Sequence, residues 1–291
     1  MKYAVIDVGS NSVRLMVSEE LKTKYKKINT TRLAMGLALT GQLDGDRMLA
    51  TANAIEEYVE QAKSEQCDKI FVFATEAVRS ADNKDEFIKL LSDKGIDIDV
   101  VASQDEAKLG FTGAYTDGVC CVLDIGGAST ELAVGDDKGL IYAKSLPIGL
   151  VRIYDRCKEN LEAIDEYIAS LIHKYGELPK FDNLLAIGGT ASTFVAIKEK
   201  MNIYNPQMVD GYMLTKVVVD ELTEQIHAMK IQDRLLLTGL EPKRADVIVG
   251  GGRLLSAIMG MLGRDYLIVR ESDNQEGYLK CKMGISILGK K

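Results

Sequence analysis

Residues 4–17 read AVIDVGSNSVRLMV, and residues 121–134 read CVLDIGGASTELAV. In each stretch an apolar run ends in an aspartate, a turn of small residues follows, and a second apolar run begins. At the offset that separates Asp7 from Asp124, five further positions are identical. A match repeated at one offset indicates an internal duplication, and two apolar runs around a short glycine-containing turn predict a β-hairpin. The sequence therefore predicts two related hairpins, one in each half.

The segments that follow the two hairpins also repeat. A third apolar run comes next in each half, and stretches with apolar residues at helical spacing then alternate with short apolar runs. The predicted strands and helices are residues 23–33, 46–62, 70–74, 86–94 and 96–102 in the first half, and 140–146, 161–172, 184–187 and 190–200 in the second. This order, βββαβαβα written twice, predicts an α/β protein with two lobes, residues 1–118 and 119–291, and a central cleft as the ligand site.

Composition excludes several classes of protein. The chain has 291 residues, 46% of them apolar and 27% charged, with a formal net charge of −7. The apolar content suffices for buried cores, which argues against a disordered chain, and no run of about 18 apolar residues is present to cross a membrane. Asp7 interrupts the apolar start where a signal peptide needs a continuous apolar core, so we expect a cytoplasmic protein. Net acidity argues against nucleic acid as a general partner.

The small numbers of cysteines and histidines exclude further kinds of catalytic and structural site. The five cysteines include no C-x-x-C pair, and an odd number argues against a disulfide framework. Two histidines cannot form a three-histidine zinc site, and no G-x-S-x-G motif occurs. Any catalysis is therefore expected to depend on carboxylates, hydroxyls, backbone amides and a hard metal ion.

Four glycine-containing turns are candidate phosphate-binding elements. Closely spaced backbone N–H groups in such turns form anion-binding concavities, and helix N-termini attract anions through free amides and the dipole. The alternative for any single turn is an ordinary tight connection, but four of them, two in related copies across one cleft, favour phosphate binding. No G-x-x-x-x-G-K-[ST] motif occurs, so the chain is not a P-loop protein. The candidate residues are Ser10, Asn11 and Ser12 in the first turn, Gly126, Gly127, Ser129 and Thr130 in the second, Gly188, Gly189 and Thr190 in the third, and Gly250, Gly251 and Gly252 in the fourth.

Carboxylates at the ends of the paired strands are candidate metal ligands. Asp7 and Asp124 each close a strand beside a candidate phosphate turn, which suits Mg²⁺, an ion that prefers oxygen ligands and keeps several waters. Glu131 stands in the second hairpin where the first has Arg14. We expect Glu131 to hold a metal ion or water and Arg14 to hold a phosphate. The alternative for Glu131 is a strand residue that faces solvent.

The duplicated frame with its paired aspartate turns resembles the superfamily of actin, sugar kinases and heat-shock ATPases, which implies two actin-like (ribonuclease H-like) lobes. Residues 7–15 and 123–132 more specifically resemble the exopolyphosphatase / guanosine pentaphosphate phosphohydrolase (Ppx/GppA) family. Further segments resemble the same family in the same order along the chain. They are RLAMGL at 32–37, ATEAVR at 74–79, DEAKL at 105–109, PIGLVR at 147–152 and RADVI at 244–248.

The resemblance implies a hydrolase that removes terminal phosphate from inorganic polyphosphate or guanosine pentaphosphate with Mg²⁺. Glu106 falls on the family's catalytic glutamate, which activates the attacking water, and Arg79 falls on an arginine that contacts phosphate. Asp124 and Glu131 fall on the carboxylates tied to Mg²⁺ and water. On spacing alone, Glu106 could equally be a helix-start acid that interacts with the helix dipole, and Arg79 a surface arginine.

Three positions depart from the family pattern. Ala128 stands where a third glycine is usual, and Lys108 replaces an arginine, which keeps the charge but loses the bidentate fork. Residues 271–277, ESDNQEG, resemble S-D-x-x-R-E-G but are one residue short, with Gln275 near the expected arginine. We expect these changes to affect substrate preference and rate more than the fold.

Basic residues lie close together in and beside the strand predicted at residues 23–33. They are Lys22, Lys24, Lys26, Lys27 and Arg32. Alternation is expected to place the first three on one face of a strand. Such a face is either an exposed edge strand kept soluble by its lysines or a binding surface for a long polyanion. In the second case, binding of the polyanion would depend strongly on salt concentration.

The leading hypothesis is thus a Mg²⁺-dependent exopolyphosphatase with Glu106 as general base, and guanosine pentaphosphate hydrolysis on the same site is the runner-up. An ATP-dependent kinase of the wider superfamily and a non-enzymatic polyphosphate or nucleotide sensor are the remaining alternatives. Because proteins of similar sequence are commonly dimers, we also expect a homodimer. A terminal helix over residues 275–287 is expected to pack back across the two lobes.

Overall fold

The protein is described here by a computed structural model that covers residues 1–285 and contains two mixed β-sheets. The first sheet consists of β1 (Lys2–Val8), β2 (Ser12–Glu19), β3 (Lys22–Thr30), β4 (Lys69–Ala74) and β5 (Asp99–Val100), in the order β3-β2-β1-β4-β5. The second consists of β6 (Cys120–Ile125), β7 (Thr130–Asp136), β8 (Gly139–Leu146), β9 (Asn183–Ile187), β10 (Met213–Thr215) and β11 (Tyr266–Val269), in the order β10-β11-β9-β6-β7-β8.

The duplication predicted from the hairpins is present in the backbone. β1 pairs antiparallel with β2 and parallel with β4, as β6 pairs with β7 and β9. Asp7 faces Arg14 across the first hairpin, and Asp124 faces Glu131 across the second, at the equivalent register. The prediction of an α/β fold with two related lobes is therefore confirmed, with β10 as an additional antiparallel edge strand.

Helices cover the faces of both sheets and fill the connections between strands. The first half contains α1 (Leu37–Thr40), α2 (Gly45–Ser64), α3 (Glu76–Ser80), α4 (Lys84–Ser92) and α5 (Ser103–Ala114). The second contains α6 (Leu150–Cys157), α7 (Leu161–Ile172), α8 (Gly189–Lys198), α9 (Pro206–Val209), α10 (Lys216–Ala228), α11 (Ile231–Arg234), α12 (Ile248–Met261) and α13 (Asn274–Lys282), with short 3₁₀ turns at His173–Tyr175 and Pro242–Arg244. Across residues 1–285, none of these helices combines the length and the apolar character that a membrane span requires.

Local sequence explains why α2 forms where the pattern predicts it. Asp44 caps the helix, because its carboxylate accepts the Arg47 N–H at 3.0 Å. Ala52, Ile55 and Val59 recur at helical spacing and are buried against the first sheet. The predicted bounds of residues 46–62 are therefore close to the observed ones.

One predicted strand is shorter than expected, and one predicted turn is wrong. Of the strand expected at residues 96–102, only Asp99 and Val100 pair with β4, because Ile96 instead donates its N–H to the Leu91 carbonyl and closes α4. The turn expected at residues 250–252 lies inside α12.

Packing explains two of the three consecutive glycines at residues 250–252 of α12. A Cβ at Gly250 would lie 2.8 Å from Ile153 of α6, and one at Gly252 would lie 2.1 Å from the Thr223 hydroxyl of α10. The glycines allow α12 to approach these two helices closely, and they do not form a phosphate turn.

Two helices cross from one half of the chain to the sheet of the other half. Phe111 of α5, which belongs to the first half, packs with Val122 of the second sheet. Tyr278 of α13 stacks on Phe73 of the first sheet, with ring centroids 4.4 Å apart. The terminal helix thus packs back across the lobes as expected, over residues 274–282; residues 286 and 287 of the predicted helix lie outside the described residues.

Glycines allow α5 and α13 to cross in direct backbone contact. A Cβ at Gly113 would lie 1.9 Å from the Asp273 carbonyl oxygen, and a Cβ at Gly277 would lie 1.9 Å from the Leu109 carbonyl oxygen. No side chain fits at either position unless the helices separate. This crossing holds the start of α13 beside the end of β6, where Asp124 stands.

Candidate active site

The two hairpin turns meet at the base of a cleft. In both, a glycine N–H donates to the serine carbonyl three residues on, at 3.1 Å from Gly9 to Ser12 and at 3.0 Å from Gly126 to Ser129. A Cβ at Gly127 would lie 2.9 Å from the Cβ of Ser10, so the turns approach each other closely. The cleft beside them has a volume of about 1420 Å³.

Most of the predicted site residues line this cleft. They are Asp7, Ser10, Asn11, Ser12, Arg14, Glu106, Asp124, Gly126, Gly127, Ser129, Gly188 and Gly189. The others, Arg79, Thr130, Glu131 and Thr190, are not on its wall. The Thr130 hydroxyl donates to the Ile148 carbonyl at 2.6 Å, and the Thr190 hydroxyl donates to the Ile125 carbonyl at 3.0 Å. Both threonines therefore hold the backbone behind the turns.

Glu106 stands in the first turn of α5 and is 5% exposed. Arg79 donates to its Oε2 at 3.0 Å, and also to Glu76 at 2.6 Å and to the Val101 carbonyl at 2.6 Å. Burial raises the pKa of Glu106 to about 8, although the charge of Arg79 opposes the shift. Arg79 therefore orients the glutamate and favours its ionised form.

A second arginine ties this pair to the second turn. The Arg152 guanidinium donates to the Ala128 carbonyl at 2.9 Å and to Glu76 at 3.2 Å. Because Glu76 also accepts from Arg79, the backbone at Ala128 is connected to Glu106 through a chain of charged hydrogen bonds. Ala128, which replaces the usual glycine, is itself buried.

Asp124 is the penultimate residue of β6, lies on the cleft wall and is 8% exposed. Its Oδ2 accepts a hydrogen bond from the Asn274 side chain at 2.7 Å. Burial raises the pKa of Asp124 to about 6, although the charge of Arg14 and the Asn274 bond oppose the rise.

Glu131 of β7 is the register partner of Asp124 and is not on the cleft wall. It is 3% exposed and accepts from the Ser145 hydroxyl at 2.6 Å. Burial raises the pKa of Glu131 well above its ordinary value, and the charges of Glu106 and Asp124 add to the rise. The alternative of a strand residue that faces solvent is therefore wrong.

Arg14 is held by two carboxylates rather than left free for a ligand. It donates to Asp7 Oδ2, at 3.1 Å from its Nε, and to Asp273 Oδ2 at 2.7 Å from Nη1. Its side chain is 22% exposed and lies on the cleft wall, so a phosphate would have to share it with Asp7 and Asp273. The phosphate contact of Arg14 stays a prediction.

The residues present fit a hard cation. Among residues 1–285, no group of three or more His, Cys, Asp or Glu side chains is arranged to hold a metal ion. Mg²⁺ does not need such a group, because it commonly binds through one or two carboxylates together with waters and substrate phosphates. Asp124 and Asp7 place carboxylates on the cleft wall, and Asp7 Oδ1 is buried without a hydrogen-bond partner in the described chain. Metal binding by Asp7, Asp124 and Glu131 stays a prediction.

Arg244 is a cleft residue that the sequence analysis missed. Its guanidinium lies against the start of α8, where a Cβ at Gly189 would be 2.3 Å from Nη2. It is 7% exposed, and its Nε donates to Glu241 at 3.2 Å. Burial lowers the pKa of Arg244, since Glu241 only partly compensates the buried charge. An incompletely paired cation beside a helix N-terminus is suited to an anion.

The basic residues of β3 mostly pair within the protein. Lys24 contacts Glu19 at 3.0 Å, and Lys26 contacts Glu276 at 2.8 Å. A bulge opposite Val17 and Ser18 leaves Lys24 without a register partner and interrupts the expected alternation. The cleft nevertheless extends along β3, whose residues 22–27 line it.

Two of the residues that depart from the family pattern differ in burial. Gln275 is fully buried, and its side-chain N–H groups donate to the Val5 carbonyl at 2.8 Å and to the Arg14 carbonyl at 3.1 Å. Lys108 is exposed on α5. Gln275 thus has a structural role beneath the first hairpin.

Comparison with known proteins identifies the family. The profile of the Ppx/GppA phosphatase family matches residues 12–284, which is nearly the whole chain. The chain belongs to this family. Membership in a family of phosphatases confirms the predicted resemblance and the prediction of a hydrolase that acts on phosphate groups.

Individual Ppx/GppA relatives align over most of the chain. The bifunctional 3-dehydroquinate synthase/phosphatase of Fusobacterium nucleatum is 31% identical over 94% of the chain, which spans only 45% of that longer protein. Exopolyphosphatase 2 of Mycobacterium tuberculosis is 26% identical, over 95% of the chain and 97% of the relative. The crystal structure of the Ppx/GppA family member of Aquifex aeolicus superposes with a TM-score of 0.78 at 26% identity, over 97% of each chain.

Proposed function

We propose that this Ppx/GppA protein hydrolyses the terminal phosphoanhydride bonds of inorganic polyphosphate, with Mg²⁺ and with water as the acceptor. The position of Glu106 carries the proposal, because this buried carboxylate faces a cleft in which two turns suited to phosphate meet. The Mycobacterium relative, which has nearly the same length, is named an exopolyphosphatase. That name supports the substrate class.

The extent of the cleft supports a long anionic substrate. A volume of about 1420 Å³ exceeds what one phosphate fills. Its walls carry Arg244 on the second lobe and Lys22 on the first, in addition to the two turns. Cations and backbone amides along the walls suit a chain of phosphates, even though the protein as a whole is acidic.

In the proposed reaction, the backbone amides of residues 10–12 and 127–129 hold the terminal phosphoryl group. Glu106 accepts a proton from the water that attacks phosphorus, and the shortened polyphosphate leaves with the bridging oxygen. When bound at Asp124, Mg²⁺ supplies neutralisation of the charge on the phosphoryl oxygens. Arg79 keeps the Glu106 carboxylate in position and favours its ionised form.

Hydrolysis of guanosine pentaphosphate is the second candidate, and the wall beyond Arg244 favours it. Asn202, Tyr204 and Gln207 line the cleft there. Amide groups and an aromatic ring are the side chains that bind and stack on a nucleobase. Phosphates between this wall and the two turns would lie along Arg244.

A phosphate-release assay with Mg²⁺ tests the proposal. The substrates are long polyphosphate, guanosine pentaphosphate and ATP, and the variants are Glu106→Gln and the exposed control Glu60→Gln. We expect release from polyphosphate by the wild type, with kcat lowered on the order of 10²–10⁴-fold in Glu106→Gln. The control should retain wild-type rates, because the Glu60 side chain is 65% exposed and, within residues 1–285, forms an ion pair only with Lys63.

Each other outcome of the assay has a definite meaning. Wild-type activity in a folded Glu106→Gln variant refutes the assignment of Glu106 as base. Preference for guanosine pentaphosphate selects the second candidate. Transfer of phosphate to an added acceptor, with little release to water, indicates a kinase, and binding of polyphosphate without turnover indicates a sensor.

A further inference from the structure

A side-chain amide on α13 contacts the carboxylate of Asp124. Asn274 is the first residue of this helix, and its Nδ2 donates to Asp124 Oδ2 at 2.7 Å. Both side chains are buried, at 3% and 8% exposure. Only the N–H end of an amide can face an ionised carboxylate, so the orientation of Asn274 is fixed by this contact. The two residues are 150 positions apart in the sequence.

The backbone around Asn274 is fixed from three sides. Asp273 and Glu276 form a capping box at the start of α13. Arg14 and Lys26, from the first sheet, form ion pairs with Asp273 at 2.7 and 3.1 Å. The Asn274 Oδ1 lies against α5, where a Cβ at Gly110 would be 2.9 Å away. Asn274 therefore has little freedom to move away from Asp124.

The hydrogen bond engages one oxygen of Asp124 and leaves the other available. Oδ1 receives no hydrogen bond within residues 1–285, and it lies on the side of Gly188, where a Cβ would be 2.7 Å away. A carboxylate held at one oxygen by a rigid donor presents the other in a fixed direction. Ligating carboxylates are commonly held in this way by neighbouring donors.

We infer that Asn274 is a positioning residue, which orients the Asp124 carboxylate so that its Oδ1 binds the Mg²⁺ used in catalysis. The inference rests on the proposed function for the use of Mg²⁺, and on the described contacts for the role of Asn274. Loss of such a supporting contact commonly costs 10–100-fold in metal affinity. A purely structural role would instead lower the stability of the fold and leave Mg²⁺ affinity unchanged.

The test compares Asn274→Ala and Asn274→Leu with the wild type; leucine keeps the branched shape of asparagine but has no hydrogen-bonding groups. Calorimetric titration of the full chain with Mg²⁺, without substrate, gives the affinity, and phosphate release at increasing Mg²⁺ gives the half-saturating concentration. The matched control is Asn83→Ala, which removes two hydrogen bonds to Leu43 on the first lobe. Thermal unfolding of each variant reports stability separately.

We expect both Asn274 variants to bind Mg²⁺ at least tenfold more weakly and to need at least tenfold more Mg²⁺ for half-maximal release, with kcat at saturating Mg²⁺ within about threefold of the wild type. Asn83→Ala should lower the melting temperature without a change in Mg²⁺ affinity. Unchanged Mg²⁺ affinity in a folded Asn274 variant overturns the inference, as does a wild type that binds no Mg²⁺. Weaker Mg²⁺ binding in the variants of a protein that releases no phosphate supports the positioning role of Asn274 at a Mg²⁺ site and refutes the proposed function.

Discussion

The replacement Asp273→Asn isolates the ion pairs that join α13 to the first sheet. The Asp273 side chain is 8% exposed and contacts Arg14 at 2.7 Å and Lys26 at 3.1 Å. Asparagine is as good a helix cap as aspartate, so the capping bond to the Gln275 N–H can remain. The variant therefore removes one charge and little else.

The size of the effect follows from the partners that remain. Removal of one member of a buried ion pair typically costs about 3–5 kcal/mol. Here Arg14 keeps its contact with Asp7, and Lys26 keeps Glu276, so neither cation is left without a carboxylate. We therefore expect the lower end, a loss of about 3 kcal/mol in the free energy of unfolding at pH 7.

The pH dependence of this loss is a second readout. Burial alone would raise the pKa of Asp273, but the charges of Arg14 and Lys26 outweigh it and hold the pKa below the ordinary value of 3.8. A carboxyl whose pKa is lower in the folded state contributes stability above its unfolded pKa and loses it as pH falls through the folded value. The difference between wild type and variant should thus be constant above about pH 5 and shrink below pH 4.

Urea unfolding at 25 °C, over a series of pH values, measures both quantities. Glu60→Gln is the control, because its exposed contact with Lys63 should contribute about 0.5 kcal/mol or less. A difference below about 0.5 kcal/mol for Asp273→Asn at pH 7 would refute the view that these ion pairs hold α13 in place.

Three further predictions concern the helix crossing and the cleft. Gly113→Ala should lower the free energy of unfolding by about 3 kcal/mol or more, because its Cβ would lie 1.9 Å from the Asp273 carbonyl oxygen. The control Gly45→Ala, in open space on α2, should be neutral or stabilising in the same urea assay. Arg244→Met should raise KM for the preferred substrate roughly tenfold or more with kcat nearly unchanged, and steady-state kinetics in which kcat alone falls would contradict this role. Since burial raises the pKa of Asp124 to about 6, calorimetry should find Mg²⁺ affinity about fourfold weaker at pH 5.5 than at pH 7.5, and equal affinities would contradict Mg²⁺ binding by a carboxylate with this pKa.

The paired hairpins were predictable because each is a local feature. The apolar runs, the aspartate and the small-residue turn lie within about fourteen residues, and the offset between the copies fixes their equivalence. The register confirms this, since Asp7 and Asp124 occupy the same place in their sheets. The glycines at residues 250–252 were misinterpreted because small residues also serve close helix packing, which depends on Ile153 and Thr223 elsewhere in the chain.

Contacts between distant segments could not be predicted from local pattern. Arg14 and Asp273 are 259 positions apart, and nothing near either residue indicates the other. The exchange of α5 and α13 between the sheets likewise depends on backbone contact at Gly113 and Gly277, and single glycines in a sequence carry no partner information. Arg244 was missed as a cleft residue for the same reason, because its place beside Gly189 arises only in the folded chain.

Hydrolysis in ¹⁸O-labelled water tests the central claim most directly. Polyphosphate is incubated with the protein and Mg²⁺, and the released phosphate is analysed by mass spectrometry while the length of the remaining chain is followed. If water attacks the terminal phosphorus with Glu106 as base, each released phosphate carries one ¹⁸O atom from water and the polyphosphate shortens from its end. Release of unlabelled phosphate, or cleavage within the chain, would contradict the account.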